Sequence, residues 1–193
     1  MCINIKIMKS FFALSLGMVV GLYSTGTMAS GYGGPYNFGS TASASDIAKL
    51  DIDVEPDGSG MPPGSGNYTQ GKEVYTAKCA ACHGADLVSV PGTGADTLIG
   101  GRGSLASGKP LKTVESYWPY ASTVFDYVKR AMPFNAPGSL SDDEIYSVVA
   151  YVLAEANIFD RSATLDASSL AKIEMPNKDG FIADSRPDVF NFE

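Results

Sequence analysis

The segment Cys79-Ala80-Ala81-Cys82-His83 is the part of the chain best equipped to do chemistry. Two thiols three residues apart, followed at once by an imidazole, form C-x-x-C-H, the attachment sequence for covalently held haem. The two thiols add across the two vinyl groups on one haem edge, and the adjacent His then lies beneath the iron as its proximal ligand. Two other chemistries use similar spacing. A redox C-x-x-C of the thioredoxin kind expects a strand–helix–strand context, which is absent here. A zinc site needs a fourth ligand; the remaining Cys, Cys2, precedes an apolar N-terminal run, and His83 is the one His of the chain.

With a single His, the sixth iron position falls to a methionine or stays open. Beyond the first 29 residues the methionines are Met61, Met132 and Met175. Met132 follows a short helical pattern and precedes Pro133, which fixes the backbone and stops the helix, so Met132 is the expected ligand. Met175, in the C-terminal tail, is the runner-up, and core packing is the plain alternative for either.

The elements that must position these residues are legible in part. A helix is expected over 68–81, with Val74, Tyr75 and Cys79 near one face, then a Gly-rich loop over 84–112. A short helix follows over 122–131, carrying Val124, Phe125 and Val128. Ser141-Asp142-Asp143-Glu144 reads as a capping box with acids in the first turn. Behind it Ile145, Val148, Val149, Val152 and Leu153 recur at helical spacing, predicting an amphipathic helix that ends near Asn157.

The N-terminus reads as an address. Lys6 and Lys9 precede an apolar run, and Thr27-Met28-Ala29 places small residues where a signal peptidase reads. Residues 1–29 are therefore expected to be a signal peptide cleaved after Ala29, with Met8-Lys9-Ser10 able to open the signal by itself. The alternative is an uncleaved anchor, although no run reaches the roughly 18 apolar residues of a clear span. Residues 30–66, rich in Gly, Ser and Pro, read as a flexible arm. Residues 67–157 form the ordered domain, and 158–193, with Pro176, Gly180 and Pro187, an irregular tail packing on it.

Composition bounds the rest. The 193 residues carry 21 Gly and 11 Pro, which excludes a bundle with short turns, and 45% hydrophobic residues, enough for a core. Cleavage would remove two of 14 bases and none of 21 acids, moving the net charge from −7 to −9. Such acidity argues against nucleic-acid binding. Export implies a periplasmic, oxidising setting.

Gly71-Lys-Glu-Val-Tyr75, Cys79-x-x-Cys82-His83-Gly84, Met132-Pro133 and the apolar pattern over 145–153 resemble the small class I cytochromes c, over residues 68–156. The resemblance implies an all-α fold with N- and C-terminal helices crossing over the haem, long loops and extended arms. It also implies that Gly71 and Tyr75 meet Tyr151 at that crossing, where a glycine permits close approach. A narrower likeness runs through Gly100-Gly-Arg-Gly-Ser-Leu105, Thr113-Val114, Ser116-Tyr-Trp-Pro-Tyr-Ala121, Phe125-Asp-Tyr127, Arg130-Ala-Met-Pro-Phe134, Met175-Pro-Asn177 and Arg186-Pro-Asp188. These resemble the cytochrome domain of the sulfite and sulfane dehydrogenases of bacterial sulfur oxidation. Trp118 would then donate to a haem propionate or pack on the haem edge. Arg102 would pair with a propionate or sit solvated in its loop.

These readings imply a non-catalytic electron-transfer protein with one covalent haem. His/Met ligation closes the iron to substrate and raises its potential. The resemblance implies a molybdenum sulfite dehydrogenase as donor, on another chain, and another cytochrome c or a terminal oxidase as acceptor. The alternative is a haem sensor with Met132 off the iron, which carbon monoxide binding would reveal. A peroxidase-like enzyme would want a distal acid/base, and no second His exists. Ala80, Ala81, Met132, Pro133 and Phe134 are expected to ring an exposed haem edge.

Overall fold

The computed structural model describes residues 39–182; the signal sequence assigned to 1–29 lies outside them. One compact unit begins at Ala44; of the preceding unit, which ends at Ser43, residues 39–43 are described. Its elements are α1 (Ala44–Leu50), β1 (Ser65–Asn67), α2 (Tyr68–Lys78), α3 (Ala80–His83), α4 (Ala121–Ala131), α5 (Asp142–Glu155), β2 (Thr164–Asp166) and α6 (Ala167–Leu170).

Local chemistry explains where the main helices begin and end. Asn67 caps α2 by accepting from the backbone N–H of Gln70. Ser141 and Glu144 close the capping box expected for α5, with Asp142, Asp143 and Glu144 in its first turn. α4 stops at Met132, whose backbone is extended, as the residue before a proline prefers. The helix expected over 68–81 is broken at Cys79, which leaves helical geometry and lets the Cys–His turn continue as the separate α3.

The central element is α5, and its environment departs from the amphipathic expectation. Every residue of α5 from Ile145 through Ala154 is buried. The face that reads as polar or small (Ser147, Ala150, Tyr151, Ala154) is covered by α2 and by segments placed among the arm and tail. β1 and β2 pair antiparallel, with Ser65 opposite Asp166, Gly66 opposite Leu165 and Asn67 opposite Thr164. The fold is thus mostly helical with a small sheet.

Order also starts earlier than Asn67. Val54 is buried, and its N–H donates to Asp126 Oδ1 at 2.9 Å. Ser122 Oγ donates to the Pro56 carbonyl, Tyr146 Oη to the Pro62 carbonyl, and the Ser65 N–H to Asp143. The short apolar pattern from Ile47 to Val54 names no partner, so the anchoring of Val54 to α4 has no sequence signature. The tail is likewise more regular than expected: β2 and α6 bury Leu165 and Leu170, and Glu174 bridges to Tyr120.

The α2–α5 crossing depends on absent side chains. A Cβ at Gly71 would lie 1.9 Å from the Ser147 carbonyl oxygen, and one at Gly66 2.2 Å from the Ser147 nitrogen. Tyr75 and Tyr151 pack at 5.1 Å between ring centroids, as the crossing predicts. Gly71→Ala would gain about 1 kcal/mol of helix propensity, but the overlap is with backbone and cannot rotate away. We expect a net destabilisation of about 1–3 kcal/mol, measured as a lowered denaturation midpoint at unchanged slope.

Candidate haem-attachment site

The Cys–His turn leaves α2 at its last residue. Cys79 is half-buried and Cys82 exposed, and both are free thiols. Burial pushes the Cys79 thiol up to about 11, with Cys82 adding to the rise and Lys78 opposing it. A redox-reactive C-x-x-C carries a lowered thiol pKa instead. Among the described residues no three His, Cys, Asp or Glu side chains group as a metal site.

His83 is held in a defined state. Its Nδ1 lies 2.7 Å from the Asp96 carbonyl oxygen. A carbonyl only accepts, so Nδ1 carries a proton, and in the neutral ring this leaves the lone pair on Nε2. An imidazole fixed by such a partner has the tautomer and orientation of a metal-ligating His. Two unpaired thiols and an available Nε2 on one turn are the donor set that a covalently attached haem requires.

The turn is braced by backbone groups. The Tyr75 hydroxyl donates to the Gly84 carbonyl at 2.7 Å, and burial raises its pKa well above the ordinary value. Gly84 has φ +78°, and a Cβ there would meet the Val88 carbonyl oxygen at 2.0 Å. The Val90 N–H and the Thr93 hydroxyl both donate to the Cys82 carbonyl. Further on, the Leu98 N–H donates to Leu87 and the Val114 N–H to Leu98.

The three methionines separate. Met175 is 3% exposed and belongs to the core cluster, and Met61 is half-buried against it. Met132 is half-buried at the end of α4 and leads into Pro133. Trp118 is half-buried with its ring edge-on to Tyr127 at 5.6 Å. Arg102 is engaged in a way the sequence reading did not anticipate: its Nε donates to Glu115 and its Nη2 to the Ala156 carbonyl, each at 3.0 Å. It thereby pins the Gly-rich loop to the end of α5. Asp126, buried in α4, is bound by Arg130 and Val54. Among the described residues no buried side-chain N or O lacks a hydrogen-bond partner. The buried Asp126, Ser122 and Thr113 are thus fully used in holding the fold. The sequence reading missed the Asp96 carbonyl and the Tyr75 hydroxyl; the first is a main-chain group with no residue-type signal.

Helices crossing at a glycine, with C-x-x-C-H at the end of the first, define a cytochrome c-type domain. Comparisons agree. The family described as "Cytochrome C oxidase, cbb3-type, subunit III" matches residues 66–152. The structure is similar to the sulfane dehydrogenase SoxCD from Paracoccus pantotrophus, with a TM-score of 0.72 and 37% identity over 79% of this chain and 74% of that one. The thiosulfate dehydrogenase of Allochromatium vinosum is 29% identical over 118 residues, and that of Stutzerimonas stutzeri 31% over 101. The chain spans only 37% and 28% of those two proteins. This chain belongs to the c-type cytochrome family, and its relatives include enzymes of sulfur oxidation.

One ion pair joins the site's helix to the core helix. Lys78 Nζ lies 2.7 Å from Glu144 Oε1. That hydrogen bond, then the Ser141 N–H, lowers the Glu144 pKa. A lowered carboxylate stabilises the fold above its ordinary value near 4.3 and loses that contribution as pH falls through the folded value. Both side chains are about one-third exposed, so the contribution stays below about 1 kcal/mol. Thermal midpoints taken from about pH 6 down to about pH 3 should fall more steeply for the natural chain than for Glu144→Gln.

Proposed function

We propose that the protein is an electron-transfer subunit that holds one haem covalently through Cys79 and Cys82, with His83 and Met132 as axial ligands. The observation that carries this reading is the His83–Asp96 hydrogen bond, which leaves Nε2 available directly after two free thiols. When bound, the haem supplies a reversible one-electron couple. The chain's own residues orient it: Tyr75 and Gly84 set the turn, and Pro133 fixes the backbone beside Met132.

Electrons come from the catalytic subunit of a sulfur-oxidising dehydrogenase, with a molybdenum sulfite dehydrogenase as the first to try. They leave to another cytochrome c or a terminal oxidase. The likeness to SoxCD and to two thiosulfate dehydrogenases supports that class of donor. Removal of residues 1–29 would leave the protein in the periplasm. Among the described residues no helix is long and apolar enough to cross a membrane. Phe134, 85% exposed, and the exposed Ala81 fit a docking rim from which water can leave. Arg102 binds Glu115 and the Ala156 carbonyl and keeps further donors, so it and Trp118 are the residues proposed to meet a propionate or the haem edge.

Haem should remain on the denatured chain after acid-acetone extraction and be lost in the Cys79→Ala, Cys82→Ala double variant. Free extraction from the natural chain would overturn the attachment. Met132→Ala should abolish the thioether-to-iron charge-transfer band of the oxidised protein and lower the potential; loss of the band in Met175→Ala instead would reassign the ligand.

The acidic surface has a kinetic consequence. Steering of a basic partner fades beyond a Debye length of roughly 8–10 Å. Reduction by the dehydrogenase, with sulfite as substrate, should slow as salt rises; a rate flat across ionic strength would exclude steering.

A further inference from the structure

The helix that ends at Met132 is packed over only part of its length. The buried residues of α4 are Ala121, Ser122, Val124, Phe125 and Asp126. From Tyr127 to Met132 no residue is buried, and burial resumes at Pro133. Helix ends fray where packing does not hold them, yet a side chain that ligates a metal has to be held to about 0.5 Å. What holds this last turn is polar. Arg130 closes a fork on Asp126, one turn back: its Nε donates to Oδ1 at 2.8 Å and its Nη2 to Oδ2. The Arg130 side chain is 49% exposed and that of Asp126 only 11%. Asp126 Oδ1 also accepts the Val54 N–H at 2.9 Å, so the arm fixes the carboxylate that fixes Arg130. Two-point pairing of a guanidinium with a carboxylate sets direction as well as distance. The other tie on this turn, Lys129 Nζ to Asp142 Oδ1, is 3.9 Å long and sets neither.

We propose that Asp126 is a positioning residue for the methionine ligand. Anchored at Val54, it holds Arg130 and with it the last turn of α4, whose Val128 carbonyl accepts the Met132 N–H at 3.1 Å. Packing at Pro133 holds Met132 from the other side. The inference rests on Met132 as the axial ligand, and it adds a role for the arm. A segment with no part in the haem-attachment sequence sets how firmly the sixth iron position is closed, because Asp126 has one of its bonds to that segment's backbone.

The test uses the full, haem-loaded chain in its oxidised form, titrated with imidazole, which competes with the methionine for the iron. Loss of the thioether-to-iron band reads the affinity. Asp126→Asn keeps an acceptor for the Val54 N–H and loses the charge that holds the fork; Arg130→Gln removes the fork from the other side. Each should bind imidazole roughly fivefold more tightly than the natural chain. The double variant should bind it no more tightly than either, because the two side chains act as one unit. Direction separates position from charge. The two substitutions change the net charge in opposite senses, so a field effect on the iron would move the two affinities oppositely. Arg130→Lys keeps the charge without the fork and should also bind more tightly, which decides the matter even where Asp126→Asn does not fold. Tyr68→Phe, which removes the 2.6 Å bond to Glu155, should leave the affinity unchanged. Natural affinity in both Arg130 variants, or opposite shifts in Asp126→Asn and Arg130→Gln, overturns this inference alone. A thioether band that survives Met132→Ala overturns the ligand reading on which it rests.

Discussion

Where α2 lies on α5 decides where everything chemical in this protein sits. The two backbones meet around Ser147, whose carbonyl oxygen faces Gly71 and whose nitrogen faces Gly66. Two glycines, one in α2 and one in β1, therefore converge on a single residue of the core helix. The Ser147 hydroxyl is turned back onto the Asp143 carbonyl, so it asks nothing of the approaching chains. With α2 seated this closely, Tyr75 wedges between Tyr151 and the turn beyond Cys79, and Lys78 reaches Glu144. A wider crossing would move the Cys–His turn as a unit, because that turn begins where α2 ends. The Cys–His turn is thus positioned by an absence of side chains two turns upstream of it.

Around the turn, the holding groups are mostly main chain. The Asp96, Gly84 and Cys82 carbonyls each accept a bond that fixes one part of the loop. This suits a site whose task is to keep geometry constant between two oxidation states. Backbone acceptors stay uncharged over the working pH range and keep the same place whatever side chains surround them. The ionised groups nearby do mechanical work instead: Arg102 ties the Gly-rich loop to the end of α5, and the Asp126–Arg130 pair receives the arm at Val54.

The sequence was legible where chemistry or periodicity is local. C-x-x-C-H, the capping box at Ser141 and the glycine at the crossing are each a few residues long, and each has a local physical cause. Met132 stood out by elimination among Met61, Met132 and Met175. What escaped notice depends on distant partners. Val54 ends the short apolar pattern of the arm, and nothing in that pattern names Asp126, 72 positions away, as the group that takes its N–H. β1 contains Ser, Gly and Asn, none of them a strand former, and it exists because Leu165 and its neighbours lie opposite. Arg102 offered a guanidinium for a carboxylate, and nothing local named Glu115 as one that it would meet. α5 was read as amphipathic because its apolar stripe is regular, whereas its small second face is covered by segments that carry no pattern of their own.

The pairing of β1 with β2 places the two margins of the domain side by side, with Gly66 opposite Leu165. A contact between residues about a hundred apart in sequence closes a large loop, and such contacts form late because their entropy must be met before they contribute. As the chain emerges from its N-terminal end, α2 and its Cys–His turn exist before the strand that will lock them against α5. Until residues 164–170 arrive, the flank of the core helix that β2 packs on stays open. The tail is then the clasp that closes the hydrophobic core from its far end.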